Sequence, residues 1–512
     1  MQRGKFFFLL LYFLCCGMLH AQYLTYNSDI KPIIDKNCKS CHQPDDVGPM
    51  PLTNYEEVSS YGRMIQYVTA SRQMPPWYAD LSYSHFSNER SLTDDEIDQI
   101  GHWVQDGMNE GALPYGQIIS TTVGVTVLPG EPDLIIPMQQ AFEQYGIYLD
   151  QYQVFVLRTK LSEDKWVEGI DFVPGNKKIV RHASVSIAPS GQFDSLDRWD
   201  PRYGYYSFGG LGKIPDQPFW YTWSPQQEVS FFTDGHLKFL PKGSDLILHI
   251  HYGPTGKPLM DSSQIRIYFS DQKPNNQIVT APLINPYGIT NGAFYIPPET
   301  KKLFHADYTL PYTIELRSLT PQANLLCRSF EVYAKRPGES QPVKLLKIKD
   351  WNFNWKQTFR LETPVILPAG TVIHALANYD NTLDNPCNPS DKPKEVFWGA
   401  HLFNELFFVH FEFAPFFLSG STASVIGPTT VSETSFPVTI DGIDKGYYSF
   451  QIRKITEQEP AQKSDISLSG EKQVVQIPIT DLTNGNYVLE VFNTNFEIVA
   501  RHLFVKMWDK GL

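Results

Sequence analysis

From about residue 131 to residue 415 the chain consists of short apolar-alternating runs, as in "DLILHIHYGPTG", "LLKIKDWNFNW" and "TVIHALANYDN", separated by Pro, Gly, Asn and Asp. Alternation with a period of two between turn residues is the pattern of strands with one buried face. Antiparallel sandwiches are therefore expected over most of the length. Composition agrees, with 38 Pro, 34 Gly, 14% aromatic residues and only 19% charged residues. A chain of 512 residues has room for several cores, and at roughly 100–200 residues per domain it should hold three or four.

The first 21 residues carry Arg3 and Lys5, then the apolar run "FFFLLLYFLCCGML", then "LHA" before Gln22. This is the layout of a secretory signal with cleavage after Ala21. The apolar run is shorter than the ~20 residues that a membrane span needs. Cys15 and Cys16 lack the small residues that a lipoprotein signal places before its cysteine. An exported mature chain, periplasmic or at the cell surface, is expected without a transmembrane segment. The formal charge of −12 becomes −14 when Arg3 and Lys5 are removed, which disfavours phosphate backbones and anionic membranes. Nucleic acid is not an expected partner.

The mature chain keeps four of the six cysteines, and two of them lie in "CKSCH". In C-x-x-C-H the thiols of Cys38 and Cys41 can add to the two haem vinyl groups while His42 is delivered to the iron on one face. A redox disulfide or half a zinc site are the competing uses of such a pair. About thirty residues on, "ASRQMPPWYAD" presents Met74, whose soft thioether suits the sixth iron position. Met50 is the runner-up. Met64 reads as a helix core residue, and Met108 follows the last helix. That helix, in "SLTDDEIDQIGHWVQDGMNEG", has Ser91 or Thr93 as N-cap and acids in its first turn. It has Ile97, Ile100, Trp103 and Val104 on one face, and it ends near Gly107. His85 and His102 read as surface or packing residues. Residues 113–130 read as a linker.

The order of haem motif, Met loop and closing helix resembles class I cytochrome c across residues 22–112, which implies a small all-α domain with haem c. Further on, "FVPGNKKIVRHASV", "LPKGSDLILHIHYGPTGK", "LTPQANLLCRSFEVYA", "WNFNWKQTF", "LPAGTVIHALANYDNTLDNPCNP" and "WGAHLFNELFF" resemble the copper type II, ascorbate-dependent monooxygenases. Of these the peptidylglycine α-hydroxylating enzyme is the best known. The resemblance implies two jelly-roll domains, here 131–275 and 276–415. In the family each holds one copper, one relaying an electron and the other binding oxygen beside the substrate.

For the electron-relay copper the family uses a His-His pair and a later His followed by Tyr. Here these read Arg181-His182 and His251-Tyr252, and a guanidinium has no lone pair to give. His249 shares a strand face with His251 and could replace the lost ligand, or could simply hydrogen-bond inside a sandwich. The family's His-Met-His element at the oxygen copper corresponds to Gln322-Ala323-Asn324, and its Met ligand to Leu406. No ligand of that site is kept. His401, His410 and Cys327 match no defensible geometry for a substitute. The oxidising compartment leaves open a disulfide between Cys327 and Cys387.

The stretch 418–512 shows five strand-like runs, "SFPVTIDG", "GYYSFQIRKI", "KQVVQIPITDL", "GNYVLEVFN" and "RHLFVKM". A C-terminal β-sandwich is expected, and its ending loosely resembles the sorting domains of type IX secretion. Two function classes follow. One is an electron-transfer cytochrome serving a redox partner protein or a small electron donor, with the sandwiches as scaffold. The other is a copper-monooxygenase-like oxidoreductase fed by the haem. Loss of the oxygen-site ligands favours the first.

Overall fold

The computed structural model describes residues 23–112 and 130–507, except 213–218, 226, 228, 233–234, 273, 275, 400, 416–423, 427–429, 432–433, 458 and 495–497. The expected leader and residues 113–129 of the expected linker lie outside the described residues. The fold is mostly β, in several sheets. Two compact units divide the chain: Met1–Trp77 with Arg90–Val125, and Tyr78–Glu89 with Thr126–Leu512. The stretch expected to be one domain at 22–112 is thus interrupted. Tyr78–Glu89 belongs to the second unit, where Ala79 bridges Ile348 and Phe86 bridges Leu361.

In the first unit a π-helical turn at Tyr26–Ile30 leads into α1 (Lys31–Asn37), followed by α2 (Tyr55–Ser60), α3 (Gly62–Ala70) and α4 (Asp94–Gln105). Pro32 sits in the first turn of α1, where no intrahelical N–H is lost. Thr93 is the N-cap of α4. Its hydroxyl accepts from the Glu96 amide at 3.1 Å, and the Glu96 carboxylate accepts from the Thr93 amide at 2.9 Å, closing a capping box. Ile100, Trp103 and Val104 are buried from α4 against Tyr26, Ile34 and Ile65, and the Trp103 indole N–H donates to the Asn109 carbonyl at 2.9 Å. Met64 departs from the expected core position, lying 52% exposed on α3, because Ile65 takes the inward place in that turn.

The second unit opens with β1 (Leu134–Pro137), β2 (Gln151–Arg158), β3 (Lys165–Val173), β4 (Val180–Pro189), β5 (Tyr221–Trp223), β6 (His236–Leu240), β7 (Ser244–Tyr252) and β8 (Gln264–Phe269). It continues with β9 (Asn276–Ile284), β10 (Thr300–Thr309), β11 (Ile314–Gln322), β12 (Cys327–Lys335), β13 (Val343–Ile348), β14 (Phe359–Leu367), β15 (Val372–Asn381) and β16 (Phe408–Pro415). One sheet runs β2-β7-β4-β5, and another runs β10-β15-β12-β13. A large sheet, β1-β8-β3-β6-β9-β16-β11-β14, passes through both halves, so the boundary expected at 275/276 is not a break in hydrogen bonding. The parallel pairing of β6 with β9 makes the join. Buried there, Lys238 donates to the Glu412 carboxylate at 2.6 Å and to the Trp220 carbonyl, which satisfies a charge that would otherwise be costly.

After residue 434 come β17 (Ser435–Asp441), β18 (Gly446–Lys454), β19 (Gln462–Leu468), β20 (Gln473–Pro478), β21 (Gly485–Phe492) and β22 (Ile498–Lys506). They form two sheets around one core that includes Phe436, Ile452, Leu489 and Phe504. β19 is an addition to the five expected runs; it is a polar edge strand whose sequence carries no strong alternation. Cys327 and Cys387 are unbridged, the first buried and the second exposed. Among the described residues no helix is long and apolar enough to cross a membrane.

Candidate functional site

Two constellations stand out, one in each unit. In the first, α1 ends at Asn37 and the chain turns through the cysteine pair, with the amides of Cys41 and His42 donating to the Cys38 carbonyl at 3.2 and 3.1 Å. The following loop folds back on His42. The Gly48 amide donates to the Cys41 carbonyl (3.0 Å), the Leu52 amide donates to the His42 carbonyl (2.8 Å), and His42 Nδ1 lies 2.8 Å from the Met50 carbonyl oxygen. A carbonyl can only accept, so Nδ1 carries the proton and Nε2 keeps the lone pair. Gly48 has to be glycine here, since a Cβ would stand 2.8 Å from His42 Nδ1 and 2.7 Å from the Cys41 oxygen.

Neither Cys38 nor Cys41 is in a disulfide. Burial, with Cys41 and Glu96 nearby, pushes the Cys38 thiol up to about 12. A redox dithiol needs an accessible thiolate, which this environment disfavours. Two thiols beside an imidazole that keeps its lone pair on Nε2 are groups that a covalently attached haem would use. Met74 follows α3, its amide donating to the Val68 carbonyl, and its side chain is 39% exposed. Met50 packs partly buried on the helical core. His85 and His102 are exposed.

The second constellation lies inside the second unit. β4 and β7 pair so that His182 stands directly opposite His251, and β2 places Tyr152 on the other side of His251. The Tyr152 and His251 rings stack at 4.5 Å. His249 lies two residues back on the same face. His182, His249 and His251 all line one cavity, together with Gln322, Phe353, Lys356, Leu406, Phe408 and His410. Some residues from each of the two aligned sets, His182 and His251 from one and Gln322 and Leu406 from the other, therefore line one space. His249 Nε2 is 2.8 Å from the Ser207 carbonyl, and His251 Nε2 is 2.8 Å from the Asp150 carboxylate. Both rings are thus held from behind with Nδ1 as the lone-pair atom. His182 Nε2 is buried without a hydrogen-bond partner among the described residues.

Burial dominates the titration of these groups. It holds His182 well below the usual imidazole range, with Lys356, His251 and His249 adding to the effect, and it lowers His249 to about 4 and His410 to about 3. All are neutral at pH 7, the form that binds metal. Two charged members were not singled out from the sequence. Burial lowers Lys356 to about 8, against the pull of Glu405, and its ammonium sits over the Phe353 ring at 4.2 Å. Burial likewise raises Glu405 to about 7, against the backbone amides of Leu326, Asn324 and Leu406. Both lie in segments quoted above, "WNFNWKQTF" and "NELFF", but a single Lys or Glu among aromatic residues gives no sign of burial.

At the positions aligned with the oxygen copper, Gln322 and Leu406 line the cavity, while Asn324 and Ala323 are buried in the loop after β11. Leu406 offers no lone pair, and Asn324 Nδ2 is used on the Asn404 carbonyl. These residues do not fit a copper ion. His410 lines the cavity alone of the three residues considered as substitutes; His401 is exposed, and the Cys327 thiol faces the Ser329 carbonyl at 3.7 Å.

Acid sensitivity follows from the buried imidazoles. His249 has a folded pKa near 4 against 6.5 unfolded, so between these values the unfolded chain binds more protons and stability falls as pH falls. Glu405, raised from 4.5 to about 7, acts in the opposite sense over its own window. His249→Gln keeps an amide donor for the Ser207 carbonyl and removes one titration. Between pH 7 and pH 4.5 the unmodified chain is expected to lose about 2–3 kcal/mol more than the variant. Urea titrations at the two pH values measure this difference, and identical pH dependence in both proteins would contradict it.

No family model matches the chain, and no curated protein matches it. Among solved structures, β-glucuronidase from Ruminococcus gnavus aligns over 41% of this chain and 35% of its own, at 10% identity and a TM-score of 0.11. PNGF-II aligns over 55% of this chain and 65% of its own, at 12% identity and a TM-score of 0.24. The chain spans about a third of the glucuronidase's length. Likeness at this level carries no functional information.

Proposed function

We propose that the protein is an exported c-type cytochrome that transfers single electrons, with a small helical cytochrome domain followed by jelly-roll sandwiches derived from a copper-monooxygenase-like module and a C-terminal β-sandwich. The observation that carries this reading is the hydrogen bond between His42 Nδ1 and the Met50 carbonyl, beside two unbridged cysteines at C-x-x-C spacing. It fixes the tautomer and leaves the lone pair on Nε2, which is what a proximal ligand requires. Cys38 and Cys41 would anchor haem c, which supplies reversible one-electron chemistry when bound. The Met50 backbone is engaged on His42 Nδ1, so Met74 would be the residue to hold the sixth position. Met74→Ala is expected to remove the weak red absorption band of thioether-ligated ferric haem; a band unchanged in the variant would exclude Met74. Electrons would pass to a redox partner protein or come from a small donor in the periplasm or at the cell surface.

A copper-monooxygenase-like oxidoreductase, fed by the haem, is the second reading. What favours it is the convergence of His182, His249 and His251 on one cavity wall. Three neutral imidazoles fit the donor set of one copper ion, whereas the Lys356 ammonium in the same cavity opposes a dication. At most one copper per chain is expected, with no ascorbate-driven hydroxylation. Copper titration should show affinity falling at least ~10-fold in His251→Ala and rising about 10-fold in Lys356→Met. Two tight coppers per chain, or equal weak affinity in all three proteins, would contradict this account of the cavity.

A further inference from the structure

We propose that His305, Asp307 and His374 form a binding site for a divalent ion of the zinc class, on the less buried face of the sheet β10-β15-β12-β13. None of the three belongs to the haem motif or to the histidine-lined cavity. The strand period of two puts His305 and Asp307 on the same face of β10, and the β10–β15 register sets Asp307 directly opposite His374. Three donor atoms meet there. His305 Nε2 is 2.8 Å from Asp307 Oδ1, His374 Nδ1 is 2.6 Å from the same oxygen, and the two nitrogens are 3.2 Å apart.

A tetrahedral zinc ion with bonds of about 2.0–2.1 Å separates its ligand atoms by roughly 3.3 Å, so a small spreading of this triangle admits the ion. The rings are held in place. His374 stacks on Tyr333 of β12 at 4.8 Å, and His305 Nδ1 faces the Thr290 hydroxyl at 3.4 Å. The side chains of His305 and Asp307 stay 32% and 30% exposed, which gives an ion an entry path and leaves room for water at its remaining position. Two imidazoles and one carboxylate are the donor set of zinc sites that keep an open position.

The test uses the haem-loaded mature protein stripped with a chelator and titrated calorimetrically with Zn²⁺, with metal counted after gel filtration. The unmodified protein should take up a Zn²⁺ that His374→Gln, His305→Gln and Asp307→Asn each weaken by roughly 100-fold or more, and that His102→Gln, at an exposed histidine of the other unit, leaves unchanged. His305→Gln alters a partly exposed side chain, so it reports even if His374→Gln folds poorly. No Zn²⁺ uptake by the unmodified protein, uptake that survives all three ligand variants, or uptake lost equally in His102→Gln would overturn the assignment.

Discussion

Glu405→Ala is expected to destabilise the second unit by on the order of 3–5 kcal/mol, because each buried donor left without an acceptor costs about 1–3 kcal/mol. The carboxylate accepts the amides of Asn324 at 2.8 Å, Leu326 at 2.6 Å and Leu406 at 3.3 Å. Glu405 is 1% exposed, so water cannot take over that role without entering the fold. These bonds pin the loop between β11 and β12, which carries Ala323 and Asn324, to the segment that carries Leu406. Glu405→Gln keeps one acceptor oxygen and turns an NH₂ toward the other amides, so it should lose a smaller share. Thermal and urea melts of the three proteins make the comparison. A loss below about 1 kcal/mol in Glu405→Ala would mean that the loop relaxes and that the carboxylate is not what holds it.

Cys41→Ala is expected to leave haem joined through one thioether at most, and Cys38→Ala with Cys41→Ala to abolish covalent attachment altogether. The two thiols lie within one turn of His42, with the Cys41 and His42 amides on the Cys38 carbonyl, so neither can be replaced by a neighbour. Cys327 is buried and Cys387 exposed, both in the other unit. His42→Ala should retain the thioethers but lose the low-spin optical spectrum, because the iron loses its proximal nitrogen. Haem staining after denaturing electrophoresis separates the first effect from the second. Full staining of the double cysteine variant would rule out attachment at this motif.

How much of this was legible in the sequence differs from element to element. The helix Asp94–Gln105 could be read almost to the residue because cap, acidic first turn and apolar face agree. The strand carrying His249 and His251 could be read from its alternation, and period two put both histidines on one face. Their meeting with His182 depended on the pairing of β7 with β4, which the family resemblance implied and local pattern does not encode. That Tyr78–Glu89 groups with the second unit is not legible locally, because the bridges from Ala79 to Ile348 and from Phe86 to Leu361 span more of the chain than any motif reports. The half-buried Lys356 and the buried Glu405 are not legible for a related reason, since charged residues read as solvated unless tertiary structure encloses them. The His305, Asp307 and His374 cluster joins two strands whose sequences, "KLFHADYT" and "VIHALANYD", show only single histidines.

The most direct test of the electron-transfer reading is intact-mass analysis, with a reduced optical spectrum, of the mature protein produced in a host that attaches haem c. A mass increase of one haem per chain that survives acidic acetone, with a low-spin spectrum in the reduced state, is the predicted result. A chain at its apo mass with no haem absorption, under conditions in which a control c-type cytochrome is fully matured, would contradict it.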